Sequence, residues 1–501
     1  MQKYQHIFDT THLQSDLKQR SLRSGAITLT SQALQFVIQL GSTMVLARIL
    51  SPEDYGMNAM AVAITGFAAI FSNLGLSSST IQRAEINHEQ VSTLFWINIG
   101  VGLLLTLVVA AISPAVAWFY KLPELLWVML SLSVVFSITG LSVQHSALLT
   151  RQMRFYTLAK IRVISMLAGI FVAIAAGYNG LGYWALVLNT LTSAVVQSAG
   201  CWLACRWVPG LPQRSAGIAS MVKFGADLVS FDVINYFARN LDNILIGRYH
   251  GSGALGLYSK AYQLLMMPIT NLRVPLNGVA MPALSRLQNE PEMYRIYYKR
   301  LLSILSFVSI PLVAFMLVCS DRIIHLILGS QWMEASVLFK ILALAGLVET
   351  VSSTTGMVLI TSGQSRRYLW VGAAGSLIIC LAFVFGLPWG AKGVATAYAV
   401  ANYLILLPTL IYAYKDTPVQ LGDFFMAIYR PFLASLAMAA VCFALLRQLD
   451  NWSDLVALAV CFVASLLVYV LFTIVIANGA QDLREFYSYG RLVFTQKKPD
   501  G

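Results

Sequence analysis

Ser24 to Val62, SGAITLTSQALQFVIQLGSTMVLARILSPEDYGMNAMAV, and Phe224 to Tyr262, FGADLVSFDVINYFARNLDNILIGRYHGSGALGLYSKAY, align without a gap at an offset of 200 residues. Gly25/Gly225, Ala26/Ala226, Arg48/Arg248, Gly56/Gly256 and Ala61/Ala261 coincide. Polar positions keep step as well: Gln32, Gln35 and Gln39 fall on Asp232, Asn235 and Arg239. A second register, offset 211, pairs Thr150 with Thr361 and Gly182 with Gly393. Two related halves with polar side chains inside apolar segments are the sequence pattern of a membrane transporter.

Composition supports a polytopic membrane protein. Of 501 residues, 58% are hydrophobic and 11% charged, a balance foreign to soluble globular chains. The first 24 residues are polar and basic, without the short apolar core of a cleaved signal, so the first span is expected to anchor itself. Cys201 and Cys205 lie one helical turn apart, but no His or carboxylate stands near them in sequence to complete a metal site. The six cysteines are read as packing residues and no metal is expected. A net charge of +12 is scattered through short loops rather than gathered on one face, which argues against nucleic acid.

Windows of about 20 apolar residues occur at 25–47, 58–76, 91–113, 125–147, 160–177 and 182–207. They recur at 219–247, 255–280, 300–320, 334–361, 369–387 and 392–414, with two more at 427–447 and 455–477. The expected fold is all-α, with about fourteen transmembrane helices in two six-helix lobes plus two C-terminal helices. The divisions are a cytoplasmic N-terminal segment 1–24, an N-lobe 25–207, a linker 208–218, a C-lobe 219–414, a helix pair within 427–477 and a tail 478–501. With both termini inside, only Arg48, Lys121, Arg248, Lys260, Arg322, Lys392 and Arg447 fall outside, and Arg239, Arg273 and Lys340 within spans. The remaining Lys and Arg are cytoplasmic, as the positive-inside rule requires. Loops are too short for an independent catalytic domain.

On a helical wheel Asp232, Asn235, Arg239 and Asp242 share an arc of roughly 80°, and Gln32, Gln35, Gln39 and Ser42 occupy the same arc of the first span. A charge at the bilayer centre costs about 2.5–3.5 kcal/mol on insertion scales. Such a stripe must therefore face protein or water rather than lipid. Two readings stand side by side: internal neutralisation of Arg239 by Asp242 or Asp232, and a hydrated cavity that contacts a polar substrate or coupling ion. Further candidates are Arg273, among Pro268, Asn271, Pro275 and Asn277; Arg48 and Arg248, which could equally be interfacial anchors; and Asp227 and Glu349 as ion-coupling positions. His145 is read as interfacial.

The run Leu46-Ala47-Arg48-Ile49-Leu50-Ser51-Pro52-Glu53-Asp54-Tyr55-Gly56, with Asn240-Leu241-Asp242-Asn243 and Gly256 to Tyr262, resembles the Wzx-type polysaccharide exporters. These belong to the multidrug/oligosaccharidyl-lipid/polysaccharide superfamily, and the resemblance is to its colanic-acid and teichuronic-acid exporter branch. It implies a multi-pass protein of the bacterial inner membrane that flips undecaprenyl-diphosphate-linked oligosaccharide repeat units to the periplasmic face by alternating access. Basic cavity residues would hold the diphosphate, and H⁺ or Na⁺ coupling would drive reset without a cofactor. Membrane lipid, the lipid-linked glycan, and a polysaccharide polymerase with its export machinery would be the partners. Only Arg48 and Arg248 lie in stretches that carry the resemblance. A same-fold multidrug or cation antiporter and a peptidoglycan-precursor flippase are the nearest alternatives. A membrane polymerase or glycosyltransferase is disfavoured by the short outer loops, and a primary ATP-driven pump by the absence of a phosphate-cradling loop.

Overall fold

A computed structural model describes Phe8 and residues 17–73, 76–83, 85–213 and 219–475, with residues 17–24, 26, 219–235, 237 and 238 described by backbone alone. The side chains of Asp227, Asp232 and Asn235 therefore lie outside what is described, as does residue 478 onward.

The described residues form helices joined by short turns. In the first half these are α1 (Leu17–Ile49), α2 (Pro52–Asn73), α3 (Leu76–Gln82), α4 (His88–Tyr120), α5 (Leu125–Gly140), α6 (Val143–Arg151), α7 (Phe155–Tyr178) and α8 (Trp184–Cys205). Then come α9 (Ala219–Arg286), α10 (Pro291–Val318), α11 (Ser320–Ile327), α12 (Glu334–Ser352), α13 (Thr354–Thr361), α14 (Ser365–Gly386), α15 (Gly390–Tyr414), α16 (Leu421–Gln448) and α17 (Asp454–Val475). Among the described residues nine helices are long and apolar enough to cross a membrane, or ten if α5 and α6, bent by 41°, form one span. The helices α1 and α9, which carry the polar stripe, are not among them.

Local chemistry sets the helix ends. Ser51 starts α2: its Oγ accepts the Asp54 N–H, and the Asp54 carboxylate accepts the Ser51 N–H at 2.9 Å, a capping box. Pro52 occupies the first helical position, where its missing N–H costs nothing. Asn87 and Gln90 cap α4 in the same way, and Lys121 closes it in the left-handed region at φ 57°. The repeat is visible in the backbone. Copy one breaks between α1 and α2 at Ser51, and its counterpart Gly251, at φ 84°, is the break inside α9. Thr150 and Thr361 likewise fall at the ends of the short helices α6 and α13.

Contacts divide the chain into Met1–Ser259 and Lys260–Gly501. In the first unit α7 packs on α8 and α1, α4 on α5, and α2 on α5. One of its cores gathers Val91, Phe95, Leu148, Leu149, Cys201 and Trp207. His145 belongs to this core and not to an interface. It is fully buried, stacked 4.2 Å from the Trp202 ring and bonded through Nε2 to the Trp207 carbonyl. In the second unit α10 packs on α16 and α12, and α14 on α15. Its core is closed by tyrosine hydroxyls: Tyr298 bonds Thr354 and Tyr414, both at 2.8 Å, and Tyr294 bonds Thr361 at 2.6 Å. At the α15 exit Arg367 clasps Asp416, whose carboxyl the guanidinium hydrogen bond holds below the ordinary carboxylate range.

Candidate functional site

The two copies of the repeated hairpin meet each other. A Cβ added to Gly56 would lie 1.7 Å from the Ser252 carbonyl oxygen, and one added to Gly256 would lie 1.8 Å from the Pro52 carbonyl oxygen. Since 52 corresponds to 252 and 56 to 256, these are the same contact made twice. Only glycine permits backbones this close. Gly253 similarly faces Glu53, with its would-be Cβ 3.0 Å from Oε1.

From this crossing α9 runs antiparallel to α2. Gly247 packs on Met60, and Tyr236 donates its hydroxyl to the carbonyls of Val62 (3.2 Å) and Ala63 (2.9 Å). Those bonds fix the rotation of α9 one turn from Arg239.

Along the stripe the environments differ. Gln32, Gln35 and Ser42 are half-buried, and Gln35 donates to Ser31 Oγ within its own helix at 2.8 Å. Gln39 and its counterpart Arg239 are both exposed. The two equivalent positions thus share the same exposure. Asp242 departs from expectation. It is buried, accepts the Tyr258 hydroxyl at 2.8 Å and the Asn243 N–H at 2.7 Å, and forms no ion pair with Arg239. The internal Arg239–Asp242 salt bridge is thus not made: a neutral phenol stabilises the carboxylate, and Arg239 is exposed. Asp242 holds the turn between the limbs of α9 and does not line an opening.

Arg48, at the end of α1, is exposed. Arg248 leans on aromatic rings, its guanidinium carbon 5.5 Å from the centroids of both Phe119 and Tyr249, so it faces the end of α4 rather than the stripe. In the second unit Arg273 is half-buried, and Glu349 accepts the Tyr398 hydroxyl at 2.9 Å while Tyr398 stacks on Phe383. Glu349 is thus tethered like Asp242, by one tyrosine. Neither tyrosine was a sequence candidate, because the partners lie 16 and 49 positions away with no spacing rule to connect them. The reciprocal glycines had left a signal, since both were identities of the repeat. Among the described residues no group of three or more His, Cys, Asp or Glu could hold a metal.

A helical membrane protein with a duplicated hairpin and polar positions repeated along it has the architecture of a transporter. The profile of the polysaccharide biosynthesis protein family matches residues 45–337, more than half of the chain, and the chain belongs to that family. Among curated proteins it is similar to "Teichuronic acid biosynthesis protein TuaB" of Bacillus subtilis (strain 168). Identity is 29% over 456 residues, covering 89% of this chain and 91% of that protein. It is also similar to "Lipopolysaccharide biosynthesis protein WzxC" of Escherichia coli (strain K12), at 26% identity over 82% of this chain and 85% of that one. Among solved structures, "Lipid II flippase MurJ, inward closed conformation" superposes with a TM-score of 0.70 over 90% of this chain and 97% of that chain. At 15% identity the likeness is one of fold.

Proposed function

We propose that this protein is a flippase that carries undecaprenyl-diphosphate-linked oligosaccharide repeat units across the bacterial inner membrane, from the cytoplasmic to the periplasmic face, for surface polysaccharide synthesis. One observation carries the reading: Gln39 and Arg239, equivalent in the repeat and both exposed, stand on the two helices too polar to count as simple membrane spans. Membership of a polysaccharide biosynthesis family and the flippase named in the shared fold support it.

A diphosphate and its sugars cannot enter hydrocarbon unaided, because each unsatisfied polar group costs several kcal/mol there. Gln32, Gln35 and Gln39 supply amide donors and acceptors in place of water. Arg239 supplies paired donors to phosphate oxygens, with Arg48 a further cation of the first unit and Arg273 one of the second. The lipid tail stays in the bilayer. Fourteen crossings are proposed, α1 and each limb of α9 included, with both termini cytoplasmic and the Gly56–Gly256 crossing toward the periplasm. The same topology makes that crossing the periplasmic closure of an alternating-access cycle. Transport is of the secondary type, reset by H⁺ or Na⁺ with Asp227 and Glu349 as candidate carriers, and hands its product to a polymerase and export machinery.

Deletion followed by analysis of surface polysaccharide and lipid-linked intermediates tests this. The expected result is loss of the polymer with its lipid-linked repeat unit retained on the cytoplasmic face. Normal polymer with no retained intermediate would refute the proposal.

A further inference from the structure

Beside the end of α4 the first unit holds a cleft of about 440 Å³ lined by Ala117, Trp118, Phe119, Lys121, Pro123 and Arg248. Its composition is lopsided. Two cations face it and no carboxylate does, and neither Lys121 nor Arg248 forms an ion pair among the described residues. Arg248 is half-buried, oriented by its packing on Phe119 and Tyr249. A guanidinium held this way keeps its outer N–H donors for a ligand, because the ring faces occupy only its plane. Lys121 sits at the left-handed closing residue of α4, at φ 57°, which turns the chain away from the helix beside the cleft.

The cleft also has a defined depth. α4 ends in Trp118-Phe119-Tyr120, with Trp118 82% exposed, and Leu103, Leu104, Leu107 and Val108 exposed further down the same helix. An exposed indole above exposed leucines marks the boundary between headgroups and acyl chains. The cations therefore stand at headgroup level over a lipid-facing helix.

We infer that this cleft is a phosphate site separate from the polar stripe, in which Arg248 and Lys121 hold the phosphate of a membrane lipid whose chains lie along α4. The ligand class is a phosphate ester or diphosphate. A resident anionic lipid or the diphosphate head of a lipid carrier would present the same oxygens to the same two cations. The inference does not rest on the proposed export activity: it needs only the cleft, its two cations and its depth.

The test is native mass spectrometry of the full chain in detergent. Phosphatidylglycerol, undecaprenyl phosphate and inorganic pyrophosphate are offered separately to the wild type, Arg248→Gln, Lys121→Gln and the double variant. Arg248→Lys serves as the charge-preserving control, and Arg447→Gln as a cation that stacks on Phe443 and does not line the cleft. Expected is retention of one lipid by the wild type, reduced at least about tenfold in the double variant, partly restored in Arg248→Lys and unchanged in Arg447→Gln. Preference between phosphatidylglycerol and undecaprenyl phosphate names the source, and variant-sensitive pyrophosphate binding shows that the head alone suffices. Equal retention of all three ligands by the wild type and a monodisperse double variant overturns the site. An effect of Arg447→Gln as large as that of Arg248→Gln also overturns it, since binding would then follow net charge. Normal surface polysaccharide after deletion, with the purified wild type still retaining the lipid through Arg248 and Lys121, would refute the flippase reading and leave this one standing.

Discussion

Arg239 and Asp242, three residues apart, show how much a side chain's meaning depends on one neighbour. Both lay in the same polar arc, yet Asp242 is satisfied by Tyr258 while Arg239 is exposed. Their substitutions should separate accordingly. Arg239→Ala is expected to lower export by at least about tenfold, the loss of a charge-assisted contact, with its level in the membrane unchanged on immunoblots. Normal export would remove it from the path. Tyr258→Phe leaves a buried carboxylate short of a donor and should cost about 1–3 kcal/mol of stability. Thermal melting in detergent should fall while export by the surviving protein persists. Unaltered melting would mean that Asp242 finds another donor. The polar arc was legible from the 100° wheel. That Asp242 is tethered was not, because its partner Tyr258 lies 16 residues on, past the Gly251 break.

Helix ends were the most legible elements. Ser51, Pro52 and Asp54 spell a helix start in sequence, and the structure uses them so. The apolar windows found the long helices for the same reason that lipid demands them. The bend between α5 and α6, and the division of predicted span 334–361 into α12 and α13, were not legible, since no proline marks either. Nor was the approach of Gly56 to Ser252 and Gly256 to Pro52, because a glycine reports freedom and not what occupies the space. That approach gives an element-scale prediction. Gly256→Ala cannot seat its methyl 1.8 Å from a carbonyl oxygen, so the start of α2 and the second limb of α9 must part. A thiol reagent should then label Ser252→Cys faster in the Gly256→Ala background than with Gly256 intact. Equal labelling would show that the crossing relaxes without opening.

For the whole molecule, a cycle of alternating access requires this crossing to come apart. Joining Glu53→Cys to Gly253→Cys with a short reversible linker is therefore expected to stop export, and cleaving the linker to restore it. Export that continues in fully linked protein would mean that the passage opens elsewhere. The compact units meet between Ser259 and Lys260, whereas the linker expected from sequence lies at 208–218. The junction falls within the second limb of α9, where hydropathy alone marks no end.

A contact in which residue 56 meets 252 and residue 256 meets 52 is what a homodimer makes at its rotation axis, one patch recognising its own copy. Here both patches lie on one polypeptide. A larger residue at either position therefore disturbs both copies at once, because each glycine sits against the other copy's backbone.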